Sequence, residues 1–176
     1  MKSKILVLLF ACALFACTNK PEPSIGLNSE QEALYQGNIK IVKEVCEAIS
    51  NKNMEAVSKY FVDTLRHDSP FFGDTATSKQ AWLDSLSVIN KTGKITFTNF
   101  DFYPAMDPGG EIEDVDVRVY ANINLESNSG MKTSGKYFAV FSFTNDDNKM
   151  KDVKIYNVNE FYDATGMLKA ASSANK

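Results

Sequence analysis

The chain carries one histidine, His67, within the run Leu65-Arg66-His67-Asp68-Ser69-Pro70. An imidazole takes up and releases a proton near neutral pH, so His67 and the adjacent Asp68 are the candidate proton-transfer groups. A triad of Ser69, His67 and Asp68 does not follow from their adjacency. Neighbours in an extended segment point to opposite faces and cannot line up as nucleophile, base and orienter. A zinc site would need further nitrogen or thiolate ligands, which a lone histidine and Cys46 on an apolar helix face do not supply. Glu111, Glu113, Asp114 and Asp116 cluster without calcium-loop spacing and read as a solvated acidic turn. No metal and no cofactor is expected.

The N-terminus is expected to carry this chemistry out of the cytoplasm. Lys2 and Lys4, the apolar run Ile5 to Ala16, and the polar Thr18-Asn19-Lys20 describe an export leader too short to span a bilayer. Leu14-Phe15-Ala16-Cys17 resembles a bacterial lipobox. Residues 1–16 are therefore read as a lipoprotein signal peptide, with Cys17 as the lipidated N-terminus, palmitate included. Leu9-Phe10-Ala11-Cys12 is a second copy and an alternative cleavage point. Residues 17–28, with Pro21, Pro23 and Gly26, form a tether. The expected location is the bacterial cell envelope, with the chain anchored at the periplasmic face or the outer membrane. Cys46 then has no disulfide partner and reads as a buried, inert thiol.

Length and composition bound the rest. With 176 residues, 44% hydrophobic and 11% aromatic, the chain can bury one core but has no room for a second domain of ordinary size. A net charge of −3 with mixed signs does not suit nucleic acid, whose phosphates require a basic patch.

The elements that must position His67 follow from periodicity. Ser29-Glu30-Gln31-Glu32 fits a capping box, and Leu34, Ile41, Val42, Val45, Cys46 and Ile49 then make one helical stripe, interrupted by Gly37 and Asn38. A short helix with Met54, Val57, Tyr60 and Phe61 inward follows, capped by Asn51 or Asn53. After the His67 segment, Thr77-Ser78-Lys79-Gln80 opens a third helix with Trp82, Leu83, Leu86 and Ile89 on one side, and Gly93 is placed to end it. Four strands complete the chain. Val115 to Glu126 alternates strictly, and Lys132 to Thr144 is apolar on both faces, as a central strand or one meeting a partner would be. Asn157 and Asn159 share a phase with Val153, Ile155 and Phe161 on the last strand. Residues 169–176 read as a disordered tail. Helices followed by an antiparallel meander make an α+β fold over residues 29–168.

That order, with Asn53-Met54-Glu55-Ala56-Val57, Tyr60-Phe61-Val62-Asp63, Asp68-Ser69-Pro70, Lys79-Gln80-Ala81-Trp82 and Phe143-Thr144-Asn145-Asp146, resembles the nuclear transport factor 2-like (NTF2-like) superfamily, which includes ketosteroid isomerase and the SnoaL-like polyketide cyclases. The resemblance implies a cone: three N-terminal helices packed on a curved antiparallel sheet. It also implies that Leu65, His67 and Ser69 face the cone's cavity, with Arg66 and Asp68 outward. Ketosteroid isomerase needs a carboxylate base and an oxyanion hole of a tyrosine and a protonated aspartate. Ungapped matching puts Ser69 and Val45 at the base and tyrosine positions and the protonated aspartate near Ala139, so that isomerisation is not expected.

Two functions remain in view. The first is a lipid-anchored, non-catalytic domain that binds a small apolar ligand or a protein partner, with His67, Ser69, Trp82, Tyr137, Phe141 and Asn157 as pocket residues. The alternative is a SnoaL-like enzyme of isomerase, cyclase or hydrolase type, acting on a small cyclic substrate through His67 or Asp68. His67 reads equally as a rim residue paired with Asp68 or solvent. A homodimer through the outer sheet face is compatible with each.

Overall fold

The structure is a computed structural model and describes residues 26–68, 76–105, 115–144 and 152–162. Cys12, Cys17, the leader, most of the tether, Ser69, the acidic Glu111–Asp114 run and the tail lie outside the described residues.

Helix α1, Ser29–Ser50, is capped by Asn28. Its side chain accepts from the amides of Glu30 and Gln31, both at 3.0 Å, while the Gln31 side chain accepts from the Asn28 amide at 3.0 Å. The capping box thus sits one residue before the expected Ser29. The stripe buries Leu34, Val42, Val45, Cys46 and Ile49 as expected, with Tyr35 and Ile39 added and Ile41 only half-buried. Asn38 does not interrupt the helix. It is fully buried and donates to the Val115 carbonyl at 3.1 Å, tying α1 to the sheet.

Helix α2, Met54–Lys59, is capped by Asn53 and leads directly into β1, Phe61–Asp68. Thr77 and Ser78, expected only as a helix cap, form a two-residue strand β2 on β1, with His67 opposite Thr77. Ser78 still caps α3, Lys79–Thr92, accepting from the Ala81 amide at 3.4 Å. Trp82, Leu83 and Leu86 face inward, but Ile89 is exposed rather than buried.

The remaining strands are β3, Gly93–Pro104; β4, Val117–Ser127; β5, Lys132–Phe143; and β6, Ile155–Tyr162. Strand order is β2-β1-β6-β5-β4-β3, and the helices cover one face of this curved sheet, giving the α+β cone. The meander is antiparallel, whereas β1 joins β6 in parallel, so the sheet is mixed. Strict alternation in β4 buries Val117, Val119, Ala121 and Ile123. Strand β5 is flanked by β4 and β6, and on its outer face Phe138 stacks against Phe161 and packs on Tyr120.

Gly93 ends α3, as its position suggested, but as an extended residue with φ −174° rather than a left-handed cap. Its need for glycine is one of space: a Cβ there would run into the Glu126 carbonyl and the Ser127 backbone. Gly93→Ala should therefore destabilise the domain by about 1–3 kcal/mol, since neither backbone atom can yield cheaply. Urea unfolding of the variant checks it.

Candidate functional site

The polar side chains that the fold brings together are not neighbours in sequence. Strand β1 turns Leu65 and His67 inward, β5 turns Tyr137 and Ala139 inward, and β6 lies between them. On β6 the register against β5 runs Tyr137 to Tyr162, Ala139 to Glu160 and Phe141 to Val158, with His67 of β1 beside Val158. Glu160 is thus diagonal to both His67 and Tyr137, a separation that long side chains span.

They close the gap fully. His67 Nε2 lies 2.8 Å from Glu160 Oε2, and the Tyr137 hydroxyl donates to Glu160 Oε1 at 2.8 Å. Relative exposures of 6% for His67, 5% for Glu160 and 2% for Tyr137 put the whole cluster inside the apolar core. His67 Nδ1 lies 3.0 Å from Thr77 Oγ1, and the Trp82 ring stacks on the imidazole with centroids 5.2 Å apart. Phe61 meets Trp82 edge-on, and Phe97 does the same to Tyr137. A carboxylate accepts only, so Glu160 fixes a proton on His67 Nε2. In the neutral ring Nδ1 is then an acceptor facing the Thr77 hydroxyl. Cys46 lies close enough to feel this carboxylate: burial first, and the Glu160 charge second, push its thiol far up, as an inert thiol requires.

Several expected site residues are placed elsewhere. Asp68 is not the partner of His67; it is half-buried and accepts from Arg66 Nε at 3.1 Å and Arg66 Nη2 at 3.2 Å. Such a largely exposed ion pair contributes little, so Asp68→Asn should cost no more than about 1 kcal/mol in chemical denaturation. Asn157 was expected inward with Ile155. Instead Tyr156 is an extra residue, since Phe143 pairs with Ile155 and Ser142 with Asn157. This bulge puts Val158 and Glu160 on the buried face, and leaves Asn157 and Asn159 half-buried in the opposite phase with Phe161 exposed. Trp82, Tyr137 and Phe141 face the interior, Trp82 and Tyr137 within the cluster and Phe141 in the apolar row beside it. Among the described residues no group of three or more His, Cys, Asp or Glu is placed to hold a metal ion.

Glu160 escaped the sequence reading because alternation carried on from Ile155 points it outward. Two signals could have found it: Ile155 and Val158, both apolar, are three apart rather than two, and Glu160 is a lone carboxylate in an aromatic strand.

No family profile and no curated protein sequence matches the chain. Solved structures do. A candidate polyketide cyclase from Xanthomonas campestris pv. campestris, 13% identical, superposes with a TM-score of 0.60 over 77% of this chain and 98% of that one. The BvnE pinacolase from Penicillium brevicompactum gives 0.60 at 13% identity over 81% and 99%. An epoxide hydrolase of the LEH-like type from M. tuberculosis gives 0.53 at 15% identity over 77% and 84%. The fold is NTF2-like. At these identities the likeness establishes the fold alone.

Within this NTF2-like interior, Ala139 pairs directly with Glu160. The NTF2-like cone here also holds a second isolated polar spot. Tyr35 is buried, its hydroxyl has no hydrogen-bond partner among the described residues, and burial first, then Glu32 and Tyr103, raise it to about 12, so the phenol stays protonated.

Proposed function

We propose that the chain is an exported, lipid-anchored NTF2-like enzyme that moves a proton on a small, largely apolar cyclic substrate, with the His67–Glu160 pair as the acid–base group. The observation that carries this is the buried carboxylate of Glu160, held by His67 and Tyr137 in an apolar interior. Burying a charge costs several kcal/mol even when it is paired, and such arrangements concentrate where chemistry or recognition needs them. Tyr137 and His67 together hold the carboxylate in one orientation, and Trp82 shields the imidazole from water. Neighbours named as cyclases and an epoxide hydrolase are compatible with this, since their fold accommodates acid–base work on small molecules.

The test is a panel of cyclic ketones in deuterated water, cyclic epoxides and lactones. Turnover of at least one class, lost in His67→Asn and retained in Asp68→Asn, is the expected result. Inertness across all three classes would remove the catalytic reading. One observation favours a second, non-catalytic reading: both ring nitrogens of His67 and both oxygens of Glu160 are already engaged within the chain. In that case the cluster orients an apolar ligand or stiffens the cone, and native mass spectrometry should find a retained small molecule while the panel stays silent.

Anchoring is tested separately. Cys17→Ser should move the protein from the membrane fraction to the soluble one, and retention with the membrane would overturn lipidation at that residue.

A further inference from the structure

Glu160, His67 and Thr77 stand in the order carboxylate, imidazole, hydroxyl, at 2.8 and 3.0 Å. The order matters because each contact fixes the next. Glu160 accepts from Nε2–H and so keeps the proton on that nitrogen, leaving the Nδ1 lone pair facing Thr77. The Thr77 hydroxyl has one proton and two acceptors within reach, Nδ1 at 3.0 Å and its cross-strand neighbour's carbonyl, His67 O, at 3.4 Å. The shorter contact takes the proton. Thr77 is only half-buried, unlike the other two, so the relay runs from the core outward. It also sits one residue before Ser78, the cap of α3. The first amides of that helix have no intrahelical partner, and that of Ala81 is met, loosely, by Ser78 at 3.4 Å. A base and an orienting carboxylate therefore line up on one hydroxyl, one residue before the cap of a helix.

We propose that Thr77 is the nucleophile of a Glu160–His67–Thr77 relay that cleaves carboxylic esters of small, largely apolar molecules, lactones included. The proposal rests on the acid–base reading above and names its reaction. Thr77 Oγ1 bonds to the ester carbonyl carbon as its proton passes to His67 Nδ1. The carbon–oxygen bond to the alcohol breaks, and the departing alkoxide takes that proton. Water then attacks the acyl-threonine, giving up a proton to Nδ1, and the carboxylic acid and the free hydroxyl are restored. No oxidation state changes and no co-reactant beyond water is used. Trp82 on the imidazole and the apolar residues around it set the preference for apolar acyl or alcohol parts.

The experiment uses the full chain in detergent with p-nitrophenyl acetate, following nitrophenol release and then the acetylated peptide by mass spectrometry. A burst of about one nitrophenol per chain, with one acetyl group on Thr77, is expected. Thr77→Ser should keep the burst, while the isosteric Thr77→Val should lose it, along with a factor of about 10² or more in ester turnover. Circular dichroism melting of both variants guards against misfolding. A burst surviving in Thr77→Val, or an acetyl group on Lys79 instead, overturns the relay. If Thr77→Val hydrolyses lactones normally while His67→Asn does not, Thr77 is refuted as nucleophile but the acid–base pair stands. If no variant differs from the parent on any substrate, both fail.

Discussion

A Glu160→Gln variant loses about 10²- to 10⁴-fold in turnover on any substrate that the interior accepts, and it stays folded. The substitution keeps volume and removes one acceptor. Glu160 receives two donors, His67 Nε2–H on Oε2 and the Tyr137 hydroxyl on Oε1. A carboxamide can accept only on its oxygen and must present its NH2 to the other partner. If the oxygen stays with Tyr137, the NH2 faces Nε2, which becomes the acceptor, and the ring proton moves to Nδ1. The imidazole then points a proton where it needs a lone pair. If the oxygen stays with His67, the NH2 opposes the tyrosine hydroxyl, which must turn away. Either outcome leaves a buried polar group poorly met, at about 1–3 kcal/mol of stability, well short of unfolding. The kcat and KM of purified variant and parent decide it. A loss confined to KM would mean that Glu160 serves recognition and not proton transfer. An unchanged variant would leave the pair a structural one.

Phe141→Ala should destabilise the domain by about 3–5 kcal/mol, a large part of the 5–15 kcal/mol that holds a domain of this size together. Phe141 was legible as a pocket aromatic, but its place is in the core. It is among the largest fully buried side chains, and it fills the row between Val117 on β4 and Val158 on β6, with His67 at the row's end. Removing the ring opens a cavity bounded by rigid strands on both sides, where collapse is limited. Urea unfolding at unchanged slope with a lowered midpoint is the expected signature. A loss below about 1 kcal/mol would mean that the row is loose and that the aromatic ring borders open space.

Local periodicity explains what could be read in advance. The stripe from Leu34 to Ile49, the alternation of Val117, Val119, Ala121 and Ile123, and the doubly apolar β5 all follow from rules of spacing within one element, and the inward face of each is buried. Caps were found to within a residue, Asn28 for Ser29 and Ser78 for Thr77, because several consecutive polar side chains could each accept from the same turn. His67 was visible as a candidate; its partners were not. The parallel pairing of β1 with β6 joins segments ninety or so residues apart, and His67 to Glu160 spans 93 positions. No spacing rule within an element reaches that far. Thr77 looked like a helix cap because its sequence context is a cap, and only the strand pairing with His67 brings its hydroxyl to the imidazole.

The extra residue at Tyr156 has a bearing on ancestry. A bulge absorbs one residue without changing which side chains face the interior, so lineages can gain or lose a codon there silently. With Tyr156 deleted, Ile155, Val158 and Glu160 would alternate without interruption and face the same way as now. A relative without that residue has to be aligned with a gap at this position for roles on β6 to carry across. Matched without one, the carboxylate of one protein is set against the asparagine of another, and a shared interior is mistaken for a divergent one.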